Sequence, residues 1–116
     1  MVRRDNFEKT TVKFDELEKI VCATLDAIHE NMYNASKEFT HSHIVTAKNM
    51  DELTAGIEGK NFVKAMWCGC PECEAKIKEL TAATSRCMPF DQTPVGDTCV
   101  YCGKKATKVI YFARAY

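Results

Sequence analysis

The sequence has no long apolar run, no net charge and no glycine-rich phosphate loop. Its 116 residues carry 16 Lys or Arg and 16 Asp or Glu, a balance that disfavours duplex nucleic-acid binding as the main task. No segment approaches the ~20 apolar residues of a membrane span, and the polar start at residues 1–6 is not a secretory signal. Without a phosphate loop, no nucleotide site is expected. The length predicts one domain, and the missing secretory signal, together with the cysteine pattern described next, favours a cytoplasmic protein.

Cysteine, by contrast, is abundant. There are seven cysteines, and the odd number and missing signal argue against a disulfide scaffold. Four of them form two close pairs, Cys68 with Cys73 and Cys99 with Cys102. Four thiolates from two such knuckles suit a tetrahedral Zn²⁺ site. A closed site of this kind leaves no open coordination position, so the predicted metal is structural rather than catalytic.

The first pair is ambiguous because Cys70 lies between its members. Cys70 and Cys73 form a CxxC, whereas Cys68 and Cys73 form a CxxxxC. Pro71 is expected to open a helix whose positive end favours Cys73 as a thiolate under either choice. Spacing does not decide between the two. A redox role for the Cys70–Cys73 pair is disfavoured, because a thioredoxin-like motif needs no second knuckle.

The N-terminal third is predicted to contain a charged, extended lead-in at residues 1–14 and a long helix at about residues 15–38. Asp15 is the expected N-cap, with Glu18 completing a capping box. Apolar residues recur every three or four positions and predict one buried stripe: Leu17, Ile20, Val21, Leu25, Ile28, Met32, Ala35 and Phe39. Cys22, beside this stripe, is interpreted as a buried apolar residue. The isolated histidines His29, His41 and His43 are interpreted as solvated or helix-end residues.

The remainder alternates between strand and helix patterns. Strands are predicted at 43–47, 61–67, 84–88 and 108–113, with helices at 49–59 and 71–81, the latter turning Ile77 and Leu80 inward. Two βαβ units imply parallel neighbouring strands, with both helices on one face of the sheet. The predicted fold is therefore a two-layer α/β (α+β) domain, β-α-β-α-β-β, with a mixed sheet and an N-terminal long helix.

Several motifs together resemble a known family. They are Trp67-Cys68-Gly69, Cys73-Glu74, Arg86-Cys87-Met88-Pro89-Phe90, Cys99-Val100-Tyr101-Cys102-Gly103 and Phe112-Ala113-Arg114-Ala115-Tyr116. In this order they resemble the C-terminal zinc-binding domain of archaeal/eukaryotic-type prolyl-tRNA synthetases. Residues 2–5 look like the end of that enzyme's anticodon-binding domain, so residues 15–116 would be the zinc-binding domain.

The resemblance implies a fold similar to the C-terminal domain of translation initiation factor 3. Its CxxxxC pattern implies Cys68, Cys73, Cys99 and Cys102 as the zinc ligands and Cys87 as a non-ligand, with Cys70 left as a possible exchange ligand. It also implies that the carboxylate of a terminal Tyr116 lies near the active site of the catalytic domain, as an accessory group in a segment without catalytic residues of its own.

The same resemblance implies that the chain is a fragment of a class II proline–tRNA ligase. ATP, Mg²⁺, proline and the tRNA acceptor end would bind an absent catalytic domain. The implied partners are the catalytic and anticodon-binding domains of the same chain and, through the parent homodimer, tRNA(Pro). The alternative is a stand-alone zinc-ribbon adaptor for protein or RNA, which a true start codon at Met1 would support.

Overall fold

The structure is a computed structural model that describes residues 1–115. The chain divides into two compact units, the first ending at His41 and the second beginning at Ser42. Its elements are the helices α1 (Leu17–Ser42), α2 (Met50–Glu58) and α3 (Pro71–Thr81) and the strands β1 (Ile44–Ala47), β2 (Phe62–Trp67), β3 (Ala83–Cys87) and β4 (Lys108–Arg114). Within residues 1–115, no helix combines the length and apolarity needed to cross a membrane.

The first unit consists of a short hairpin and α1. Val2 and Lys9 pair in an antiparallel bridge, so residues 1–10 fold back on themselves instead of forming the expected extended segment. Asp5 accepts hydrogen bonds from Arg3 and, at 2.9 Å, from the Asn31 amide of α1. The bond from Asn31 connects the hairpin to the helix, and the bonds from Arg3 fix the Asp5 carboxylate within the hairpin. The assignment of this segment to the junction with another domain stays a prediction.

Three expectations for α1 are wrong. A single 3₁₀ turn at Phe14–Glu16 precedes the helix and contains Asp15, so Asp15 is not its N-cap. No residue of α1 is buried, and most of the apolar stripe is exposed, with Leu25 60% and Met32 62% accessible. Cys22 is exposed as well. The periodicity correctly identified an amphipathic helix, but periodicity cannot show whether a partner covers the apolar face.

The second unit is a four-stranded mixed sheet in the order β1-β2-β4-β3. β1 and β2 are parallel, joined through α2, as predicted. The second crossover does not place β3 beside β2, because β4 lies between them and is antiparallel to both. β4 carries four buried residues whereas β3 carries only one, and the more apolar strand takes the position covered on both faces. The mixed α+β fold class is confirmed.

Both helices pack on one face of this sheet. Leu53 and Ile57 of α2 and Ile77 of α3 form the main core with strand residues that share one face: Val63, Ala65, Ile110 and Phe112. In α3 the buried positions are Cys73, Ile77 and Thr81, whereas Leu80 is 63% exposed, contrary to expectation. A second, smaller cluster lies on the opposite face, where Met66 and Val109 meet the cysteine-containing loops. The candidate site therefore lies where the end of β2, the start of α3 and the segment before β4 meet.

Candidate metal centre

The first knuckle, residues 68–73, connects the end of β2 to the start of α3. Gly69 adopts a positive φ of 87°, and a β-carbon there would lie 3.0 Å from the ammonium nitrogen of Lys108. The Trp67 indole N–H donates to the carbonyl of Cys70 at 3.2 Å, which ties the strand end to the turn. Pro71 then opens α3, where a missing backbone N–H has no cost. The turn carries Cys68 and Cys73 into the same region.

The second knuckle, residues 99–103, is a tight loop closed by its own backbone. The Gly103 N–H donates to the Cys99 carbonyl at 3.0 Å, and the Cys99 N–H donates to the Lys104 carbonyl at 2.8 Å. Gly103 takes a positive φ of 68°, which glycine adopts without strain. The Val100 N–H donates to the Met66 carbonyl at 3.0 Å. That bond attaches the second knuckle directly to β2, next to the first knuckle.

The two knuckles bring four thiols together: Cys68, Cys73, Cys99 and Cys102. Their sulfur atoms all lie within 4.8 Å of one another. Cys68 Sγ is 3.6 Å from Cys73 Sγ and 3.8 Å from Cys102 Sγ. Cys73 and Cys99 are buried, and Cys68 and Cys102 are half-buried. Four thiols so arranged could hold a metal ion.

The protein environment shifts the pKa values of three of these thiols in different directions. Burial raises the pKa of Cys68 and, much further, that of Cys73, where the neighbouring thiols add to the effect. Burial also raises the pKa of Cys99, but backbone hydrogen bonds from Cys102, Tyr101 and Cys68 outweigh it and bring that pKa down to about 7. The second knuckle thus favours the thiolate form of Cys99 even without a metal. A bound cation is needed to keep Cys68 and Cys73, whose pKa values are raised, ionised beside Cys99.

Cys70 lies outside this group. Its thiol donates to the Glu72 carboxylate at 2.6 Å, and Cys70 occupies the N-cap of α3 rather than facing the other sulfurs. Cys87, at the end of β3, is exposed, as are His29 and His41. The structure therefore assembles the CxxxxC thiols and leaves the CxxC partner aside. Tyr116, predicted to supply a carboxylate, lies outside the described residues.

The sequence analysis did not identify Lys108 as a neighbour of the site. The Lys108 ammonium lies 5.5 Å from the centre of the Trp67 ring, above the start of the first knuckle. Lys108 is the first residue of β4 and pairs with Trp67 in the sheet register. Its cation can offset thiolate charge near Gly69. The two residues are far apart in the chain, and only the antiparallel register brings them together, so local spacing held no signal for this pair.

Known proteins resemble this chain closely. Residues 50–116 match the family described as Prolyl-tRNA synthetase, C-terminal. The whole chain aligns at 53% identity with a proline–tRNA ligase of Clostridium botulinum (strain Okra / Type B1) and covers 24% of that protein. It is 47% identical, over 116 residues, to a proline–tRNA ligase of Oceanobacillus iheyensis, again covering 24% of it.

A solved structure agrees with the sequence relatives. The crystal structure of prolyl-tRNA synthetase from Cryptosporidium parvum, complexed with L-proline and AMP, superimposes with a TM-score of 0.91 at 31% identity. The match covers 99% of this chain and 25% of the synthetase chain. The chain thus spans about a quarter of the length of the relatives it matches. The chain belongs to the family of prolyl-tRNA synthetase C-terminal domains.

Proposed function

We propose that this chain is the C-terminal part of a proline–tRNA ligase, which joins proline to tRNA(Pro) at the expense of ATP. The observation that carries the proposal is the superposition of almost the whole chain on one quarter of a synthetase that holds proline and AMP. ATP, Mg²⁺ and proline would bind the remaining three quarters. A stand-alone adaptor is not favoured, because the relatives above are proline–tRNA ligases.

The metal held by Cys68, Cys73, Cys99 and Cys102 is proposed to be Zn²⁺. In a tetrahedral Zn–thiolate centre with Zn–S near 2.3 Å, neighbouring sulfurs are about 3.8 Å apart. Two of the sulfur–sulfur distances here, 3.6 Å from Cys68 to Cys73 and 3.8 Å from Cys68 to Cys102, fit that value. Four thiolates fill every position of such a centre. The ion would therefore fasten the two knuckles to each other and take no part in the reaction.

Within the enzyme, the domain would support the catalytic and anticodon-binding domains of the same chain. We place the parent enzyme in the cytoplasm, as a homodimer that binds tRNA(Pro). The carboxylate of Tyr116 is proposed to act near the active site as an accessory group. The support for this last role is the family match, which continues through residue 116.

The metal assignment is tested by zinc content in single Cys→Ser variants. One Zn²⁺ per chain is expected in the unaltered protein. Cys→Ser at any proposed ligand should lower the zinc content, whereas Cys70→Ser, Cys87→Ser and Cys22→Ser should leave it unchanged. Cys87 is the control, because its thiol is exposed and outside the group of four but belongs to the same unit. Full zinc retention in Cys68→Ser together with loss in Cys70→Ser would replace the proposed set with the CxxC set.

The enzymatic assignment is tested on the full-length polypeptide. It should exchange pyrophosphate into ATP only when proline is present, and it should charge tRNA(Pro). Residues 1–116, expressed alone, should do neither. A full-length protein that activates no amino acid, or one other than proline, would refute the proposed activity.

A further inference from the structure

A fifth thiol, that of Cys70, lies beside the four that converge at the candidate metal centre. Cys70 is half-buried and packs against the smaller cluster, which contains Cys73 and Cys99. Its sulfur is nevertheless outside the group whose sulfur atoms lie within 4.8 Å of one another. Cys70 is therefore a neighbour of the centre without being one of the four thiols that fill it.

Capping of α3 does not account for a thiol at this position. Cys70 is the N-cap residue of α3, yet its side chain makes no capping hydrogen bond. Serine, aspartate and asparagine are the residues whose side chains best stabilise an N-cap. The Cys70 thiol instead donates to the exposed Glu72 carboxylate at 2.6 Å. A thiol and a carboxylate, both groups that bind Zn²⁺, are thus paired next to the buried Cys73.

The position of Cys70 suits it to replace one ligand in particular. A centre closed by four thiolates has no free coordination position, so its ion can leave only when one thiolate is displaced. Cys68 is half-buried and only two residues from Cys70. Gly69, between them, has a φ of 87°, and glycine adopts positive and negative φ about equally well. Rotation at Gly69 can therefore exchange the two sulfurs while α3 and the second knuckle stay in place.

We propose that Cys70 is an exchange ligand through which the metal enters and leaves the centre. The inference rests on the metal centre of the proposed function. The Cys70 sulfur binds the ion as the Cys68 sulfur leaves it, and the Cys70 proton passes through the Glu72 carboxylate to Cys68. One metal–sulfur bond forms and one breaks, one proton changes thiols, and nothing is oxidised or reduced. From the exposed end of α3, Cys70 then passes the ion to an external ligand or receives it from one.

The rate of zinc release from the full-length protein tests the proposal. A chromogenic chelator in excess removes the metal, and the first-order rate of release is recorded. Cys70→Ala and Cys70→Ser should each lower this rate at least fivefold, while the zinc content before chelation equals that of the unaltered protein. Glu72→Gln should also slow release, because an amide does not take up the proton. Cys87→Ala, which removes an exposed thiol outside the group of four, is the control and should release zinc at the unaltered rate.

The two substitutions at Cys70 separate ligand exchange from helix capping. Serine stabilises an N-cap and alanine does not, so slower release in Cys70→Ser alone would assign the effect to a more stable α3. That outcome, or unchanged or faster release in Cys70→Ala, would overturn the proposal. Loss of zinc content in Cys70→Ala would overturn it as well, because Cys70 would then be a permanent ligand.

Cobalt substitution detects the exchanged ligand set directly. The thiolate-to-cobalt charge-transfer band grows with the number of bound thiolates. In Cys68→Ser, Cys70 should complete the centre, so the band should keep the intensity of four thiolates although the metal binds more weakly. The double variant Cys68→Ser/Cys70→Ser should show the intensity of three, whereas Cys68→Ser/Cys87→Ser should keep that of four. A three-thiolate band in Cys68→Ser would contradict the exchange. An unaltered protein that binds neither zinc nor cobalt would refute the metal centre itself, so the two failures are distinguishable.

Discussion

Removal of the metal should weaken the second unit and leave α1 unaffected. A chelator would take away the proposed Zn²⁺, which would join the end of β2 and the start of α3 to the second knuckle. The main core between α2, α3 and the sheet contains none of the four thiols, whereas the smaller cluster contains two of them, Cys73 and Cys99. We therefore expect the knuckles and the smaller cluster to loosen first.

The size of the effect follows from linkage. Free Zn²⁺ at 100 times its Kd adds about 2.7 kcal/mol to the free energy of unfolding. The unit that begins at Ser42 has about 75 residues. Each kcal/mol shifts the midpoint of a unit of that size by about 4–8 °C. Chelation should accordingly lower its thermal midpoint by about 10–20 °C.

Circular dichroism distinguishes local loosening from collapse. The helices α1, α2 and α3 contain 26, 9 and 11 residues, and only α3 carries a proposed ligand. If α3 is lost entirely, the helical signal at 222 nm falls by about a quarter. The signal from α1, which supplies more than half of the helical residues, should persist. A midpoint that does not change on chelation, or a complete loss of helical signal, would refute this reasoning.

Three further changes have defined outcomes. Gly56→Ala should lower the urea midpoint of unfolding, because the added carbon would lie 2.7 Å from Val63 Cγ2. Overpacking of this kind costs about 1–3 kcal/mol of stability, more than alanine gains over glycine in helix propensity. An unchanged midpoint would contradict this. Asp5, which accepts from Asn31 of α1, has a pKa lowered to about 2 by its hydrogen bond and salt bridge with Arg3. Because protonation of Asp5 weakens these contacts, the hairpin should detach from α1 as the pH falls from about 4 to 2. Amide exchange measures this detachment, and Asp5→Asn should remove its pH dependence. Deletion of Tyr116 from the full-length enzyme should reduce proline activation and tRNA charging while zinc content stays constant, and normal activity would reduce its proposed role to packing.

The local elements of the second unit were largely predictable from sequence. Asn49 caps α2 as expected, accepting from the Glu52 N–H at 2.9 Å, and α3 has the predicted bounds, Pro71–Thr81. Caps and prolines act through neighbouring residues, so the sequence displays them directly. The insertion of β4 between β2 and β3 was not predicted, since pairing of distant strands depends on which strand is most apolar on both faces.

The candidate site was partly predictable for the same reason. Spacing identified two knuckles, but it could not choose between Cys68 and Cys70, whose separation from Cys73 differs by only two residues. The positive φ of Gly69 and the position of Cys70 at the helix N-cap decide which sulfurs converge. The burial of the α1 stripe was wrongly expected because an amphipathic pattern records a preference for contact, and the contacting surface is not encoded in the helix itself.

The central position of β4 has a consequence for synthesis on the ribosome. β4 joins β2 and β3, so the sheet cannot be completed until residues through Arg114 have left the exit tunnel. The second knuckle also lies late in the chain, four residues before β4. Until then the nascent chain exposes the apolar faces of β1, β2 and α3 without their central strand. A message truncated before Lys108 would yield a polypeptide that retains all four thiols but has no complete sheet, which marks it for degradation.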